Sequence, residues 1–159
     1  MKKTLYILDW IQSVIGFLNF GALTIVVSLQ VISRFIIHRP LLWSEEVARF
    51  LLFWLVMNGA ALAAMKSRHF TTELFTVEKV KSTALRTGLA LIPALCIFLV
   101  GLIMVFYGIS YTKVGSYRIM PISQINMMYV YLVIPLSGGL ISLYSLFQIV
   151  SVIKGPSSP

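Results

Sequence analysis

Trp10-Ile-Gln-Ser-Val-Ile-Gly-Phe-Leu-Asn-Phe-Gly-Ala-Leu-Thr-Ile-Val-Val-Ser-Leu-Gln-Val-Ile-Ser33 runs for 24 residues without an Asp, Glu, Lys, Arg or His. A helix rises about 1.5 Å per residue, so roughly 20 apolar residues cross a hydrocarbon core of about 30 Å. Three further stretches are equally free of charge: Phe50–Met65, Thr87–Thr112 and Ile119–Ile153. The second holds only 16 residues, so its helix must take in Val47, Ala48 and Arg49 as well. The expected fold is an all-α integral membrane protein with four transmembrane helices, at about 11–33, 44–65, 88–111 and 127–153. These form a single transmembrane domain over 1–159. Composition agrees, being 58% hydrophobic and only 11% charged, far below the usual quarter.

The connections are short and leave no room for a soluble domain of ordinary size. Residues 34–43 are too apolar for free solvation. They are expected to lie in the membrane interface, with Trp43 as an anchor and Pro40 breaking the helix. In the longest polar connection Phe70, Leu74 and Val77 fall at i, i+4 and i+7, which predicts an amphipathic segment at about 70–82 on the membrane surface. Met1-Lys2-Lys3 before an apolar run has the look of a signal peptide. The run is too long for one, and no small-residue cleavage site follows, so a retained first helix is expected.

The formal charge is +8, yet the basic residues are scattered among the connections in no stripe that follows a phosphate backbone, which excludes nucleic acid as a partner. Lys and Arg number eight on the side of the two tails and second connection, and five on the other. That bias predicts cytoplasmic termini. Cys96 is the single cysteine, so an intrachain disulfide and paired-thiol redox chemistry are excluded. His38 and His69 lie in connections, without the neighbours of a metal or haem site. No phosphate-binding loop is present. Helices one, three and four, within the bounds given above, contain no acid. We expect no catalytic, metal or cofactor site; an independent small carrier or membrane enzyme is the disfavoured alternative.

Chemistry is concentrated in Trp43-Ser44-Glu45-Glu46-Val47-Ala48-Arg49. Ser44 is a suitable N-cap for helix two, and Glu45 and Glu46 in its first turn complement the helix dipole. Glu45 and Arg49 are spaced i, i+4 in the favourable order. Read structurally, this is a well-capped helix start. Read functionally, charges at membrane depth meet complementary groups of another subunit. In helix four Pro135 should produce a kink, and Gly138 and Gly139 with Ser142 and Ser145 should offer a small-residue packing surface. Asn58-Gly59-Ala60-Ala61 in helix two reads the same way.

Trp43 to Phe50 resembles the W-x-E-E-x-x-R element of the small membrane subunit of TRAP transporters, the tripartite ATP-independent periplasmic carriers. His69-Phe70-Thr71-Thr72-Glu73-Leu74-Phe75 is similar to that family's His-apolar-x-Val-acid stretch after helix two. Thr72 stands where an aliphatic residue is more usual, and Ser67-Arg68 where a glycine is common. Tyr131-Leu-Val-Ile-Pro135-Leu-Ser-Gly-Gly139 resembles its helix-four element. The motifs occur in family order over nearly the whole chain.

The resemblance implies an auxiliary subunit of the bacterial inner membrane. In such systems a periplasmic solute-binding protein delivers an acidic solute, such as sialic acid or a C4-dicarboxylate. A large elevator-type subunit then carries it inward with sodium. Trp43, Glu45, Glu46, Arg49, Phe70, Leu74 and Val77 are the residues expected at the large subunit. Arg34, Arg39, Lys113 and Arg118 are the candidates for docking the binding protein or for facing membrane lipid headgroups.

Overall fold

The computed structural model describes the backbone of residues 2–74 and 83–153, and the side chains of residues 6–66, 91–150 and 152. The elements are α1 (Lys2–Ile32), a π-helical turn (Ser33–Ile37), α2 (Leu42–Leu74), α3 (Thr83–Gly115), α4 (Met127–Tyr131) and α5 (Val133–Ile153). Among the described residues four stretches are long and apolar enough to cross a membrane: Tyr6–Ile37, Leu42–Lys66, Leu91–Gly115 and Met127–Val150. The fourth combines α4 and α5.

Helices outrun the charge-free stretches, because helical hydrogen bonding does not stop where the hydrocarbon stops. α1 has 31 residues and α2 and α3 have 33 each, against the roughly 20 needed to span. Three expectations change as a result. Asp9 lies inside α1, so helix one does carry an acid. α2 runs unbroken to Leu74, so residues 70–74 prolong helix two. The remainder of the expected amphipathic segment, 75–82, lies outside the described residues. Finally, α3 starts early enough to place Pro93 well inside the helix.

The turn after α1 is tightly closed by hydrogen bonds. Ser33, only 1% exposed, closes the helix end: its carbonyl accepts the N–H groups of His38 and Arg39, and its hydroxyl donates to the Arg39 carbonyl. His38 takes the left-handed conformation at φ 57°, and Pro40 follows. Both are habits of helix C-termini. α2 then begins at Leu42, two residues earlier than expected. Ser44 is therefore no N-cap; its hydroxyl turns back to donate to the Leu41 carbonyl at 2.6 Å.

α3 packs most extensively on α5, α1 on α2, and α2 on α5. Glycines make the α3–α5 contact close. A Cβ on Gly101 would collide with the Ser142 hydroxyl. One on Gly138 would come within 2.7 Å of the Met104 Cβ, and one on Gly108 within 2.9 Å of Pro135. A Cβ on Gly139 or Gly59 would meet nothing within 4 Å, so neither glycine is required for close helix packing within this chain. Pro135 cannot donate an N–H to the carbonyl four residues back, that of Tyr131. The helix is interrupted one turn before the proline, at Leu132. α2 covers this break, with the Trp54 indole N–H donating to the Tyr129 carbonyl at 3.0 Å.

Candidate functional site

The two acids at the start of α2 turn in different directions. Glu46 is 8% exposed and points into the protein. The connection from α3 to α4 folds back on itself there, joined by Met120 N–H to the Ile125 carbonyl at 2.9 Å and Met127 N–H to the Arg118 carbonyl at 2.9 Å. Asn126 caps α4 by accepting the Met128 N–H at 2.8 Å. This folding, with Pro121 opening the turn, aims the successive N–H groups of Ile122 and Ser123 at one point. The Glu46 carboxylate fills it, accepting from Ile122 N–H at 3.2 Å, Ser123 N–H at 2.7 Å and the Ser123 hydroxyl at 2.7 Å. Consecutive backbone N–H groups arranged this way form an anion-binding concavity. Here the anion is the chain's own. Glu46 is thereby engaged within the chain, at the wall of the recess described next.

Glu45 points outward and lies 4.0 Å from Arg49, with side chains 59% and 76% exposed respectively. A surface pair in this geometry contributes little to stability in water. Beside it opens a cavity of about 490 Å³ between α2, the folded connection and α4, with Phe50, Phe53, Met120, Ile122 and Tyr131 on its walls. Tyr131 is held by Tyr111 in an edge-to-face contact at 4.9 Å. Trp43, 41% exposed, stands at the same end. The arrangement is a charged pair above an apolar recess, suited to receiving apolar side chains with a polar rim.

Arg34, Arg39, Lys113 and Arg118 are all exposed at the end of the bundle carrying the first and third connections. Phe70, Leu74, His69 and Glu73 lie on the last turns of α2, with side chains outside those described; Val77 lies outside the described residues altogether. Pro135 and Gly138 face α3.

A second polar group, missed in the sequence, ties α1 to the bundle. Gln12, 4% exposed, accepts the Tyr144 hydroxyl at 2.7 Å on its side chain and the Asn58 side-chain N–H at 2.9 Å on its backbone carbonyl. Gln12 lies two residues into the charge-free stretch, and a polar residue there was the available signal. The Gly101, Gly108, Gly115 spacing of seven was another, because it keeps one side of α3 free of side chains. Among the described residues no three His, Cys, Asp or Glu side chains gather where a metal could be held.

Comparisons with known proteins agree with this architecture. The sialic acid TRAP transporter permease protein SiaT of Haemophilus influenzae is 28% identical over 130 residues, covering 80% of this chain and 20% of that protein. The sialic acid TRAP transporter small permease protein SiaQ of Vibrio cholerae is 28% identical over 107 residues, covering 67% of this chain and 62% of that one. The chain thus spans less than two thirds of either relative's length. The family described as tripartite ATP-independent periplasmic transporters, DctQ component, matches residues 23–155. A match over most of the chain, together with four membrane-crossing helices, shows that this is a multi-pass inner-membrane protein belonging to the DctQ component family of TRAP transporters, a transporter component and not an enzyme.

Proposed function

We propose that the chain is the auxiliary small permease subunit of a sodium-coupled TRAP transporter. In this reading it scaffolds the large elevator-type membrane subunit during uptake of an acidic organic solute delivered by a periplasmic binding protein. The named relatives make sialic acid the first solute to try, with C4-dicarboxylates next. Both termini face the cytoplasm, as the bias of Lys and Arg favours. Consequently the Glu45–Arg49 end of the bundle is periplasmic.

The observation that carries the scaffold role is the recess beside Glu45 and Arg49. Its aromatic and aliphatic walls are open beside the exposed Glu45–Arg49 pair. Binding a carboxylate solute would call for basic or donor groups at membrane depth and ion ligands beside them. The two oxygens of Gln12 are spent on helix contacts, the backbone carbonyl on Asn58 and the side-chain oxygen on Tyr144. The recess, with Glu45 and Arg49 at its rim, is assigned to the large subunit together with Trp43 at the same end of the bundle, as is the surface around Phe70, Leu74 and Val77.

Reconstitution tests this division of labour. Liposomes holding the small subunit, the large subunit or both receive the loaded binding protein and a sodium gradient. Only the pair should take up solute fully. Uptake by the small subunit alone, or full uptake by the large one without it, overturns the reading. Within the pair, Phe53→Asp in the recess should release the large subunit while the helix content of the small one is unchanged.

A further inference from the structure

On the other side of the Glu45–Arg49 pair two cavities adjoin, sharing Gln30 and Glu45 in their walls. The upper one, about 440 Å³, sits at the end of α1 and is walled by Arg34 and His38 as well as these two. The lower one, about 370 Å³, continues between α1 and α2 over Leu23, Val27 and Leu52. A chamber with Arg34, His38, Gln30 and Glu45 in its walls therefore adjoins an apolar groove on the outer surface of the bundle. Among the described residues Arg34 has no carboxylate partner, whereas Glu45 is already paired with Arg49. The His38 Nδ1 lies 3.2 Å from the Ile36 carbonyl.

From this juxtaposition we infer that the groove between α1 and α2 binds one phospholipid, its phosphate on Arg34 and His38 and an acyl chain along Leu23, Val27 and Leu52. Scale supports it. Leu23 lies eleven residues before Arg34, a drop of about 16 Å along a helix, and one leaflet of the hydrocarbon core is about 15 Å deep. Charge supports it too, because the guanidinium forms bidentate bonds with phosphate oxygens. Phe35, Ile36 and Ile37 around the chamber are 69%, 72% and 59% exposed, an apolar collar at the level of the glycerol backbone. The site lies across the Glu45–Arg49 pair from the recess assigned to the large subunit and shares that pair with its rim.

The full chain, purified in detergent and stripped of lipid, is titrated with dioleoyl phosphatidylglycerol, with dioleoylglycerol and with inorganic phosphate. Native mass spectrometry and thermal unfolding are the readouts. One phospholipid should bind and raise the unfolding midpoint, with neither dioleoylglycerol nor phosphate matching it. Arg34→Gln and Val27→Trp should each weaken binding about ten-fold, the scale of one lost charge-assisted hydrogen bond. Lys66→Gln, an exposed position far along α2 from the groove, should leave it unchanged. Should Val27→Trp lose helix content, Leu52→Trp obstructs the same groove. Equal binding of dioleoylglycerol, a matching effect of phosphate alone, or unchanged affinity in Arg34→Gln overturns the inference. So does a groove that takes no lipid and becomes protected from labelling only when the large subunit is added.

Discussion

Glu46 and Ser123 stand 77 residues apart in sequence, yet one carboxylate oxygen of the first accepts both the backbone N–H and the hydroxyl of the second, each at 2.7 Å. Hydrogen bonds to an ionised acceptor are among the stronger ones. Replacing Glu46 with Ala leaves the N–H groups of Ile122 and Ser123 without their acceptor. Glu46→Ala should therefore lower the unfolding midpoint and speed proteolysis of the connection between α3 and α4. Glu46→Gln should fall between it and the native protein. Limited proteolysis in detergent reads both, and a connection as resistant in Glu46→Ala as in the native chain counts against the contact.

Two adjacent glycines should behave oppositely. Gly138→Ala forces a Cβ to within 2.7 Å of Met104 and 2.9 Å of the Gly101 carbonyl, so α3 and α5 must separate. Overpacking of this kind costs about 1–3 kcal/mol. Gly139→Ala meets nothing within 4 Å and should be neutral or slightly stabilising, since Ala favours a helix over Gly by about 1 kcal/mol at most. Unfolding in graded mixtures of detergents separates the two outcomes.

Tyr144→Phe removes the donor to the Gln12 side chain in a place where Tyr144 is 1% exposed. Interhelical hydrogen bonds inside membrane proteins contribute about 0.6 kcal/mol on average and about 1.7 at most. A loss of that size is expected. In a double-mutant cycle with Gln12→Leu, the two changes should be clearly less than additive.

Topology is checked with reporter fusions. A fusion after Pro159 should report the cytoplasm and one at Ser116 the periplasm, following the distribution of Lys and Arg. Matching answers would be incompatible with four crossings, and reversed answers would invert the proposed orientation.

The four spans were legible because absence of charge is a property of single residues that survives any tertiary arrangement. Helix ends were not. Residues such as Lys2 and Asp9 mark where water begins, and the backbone goes on coiling past them. Ser44 was misjudged as a cap for a related reason: Leu41 and Pro40 set the start of α2, and a hydroxyl inside the first turn bonds backward. Glu45 and Arg49 were readable as a local pair, since their spacing alone brings them together. The partner of Glu46 was hidden, because no local pattern links it to a turn two helices later. Gln12 escaped notice because its bonds to Tyr144 and Asn58 depend on how three helices pack.

The bond between Glu46 and the turn at Ser123 also orders events during biosynthesis. Helix two leaves the ribosome with an acid near its entrance to the bilayer. The two N–H groups that accommodate that acid do not yet exist, for they arise only after the third span has been made and the chain has doubled back. Until then Glu46 has only water and the nearby Arg49 to meet its charge. A nascent chain halted before Ile122 would thus carry a hydrated, unclosed end. Completion of the turn supplies one fastening between the first half of the bundle and the second, and it precedes in chain order those made by Tyr129 and Tyr144.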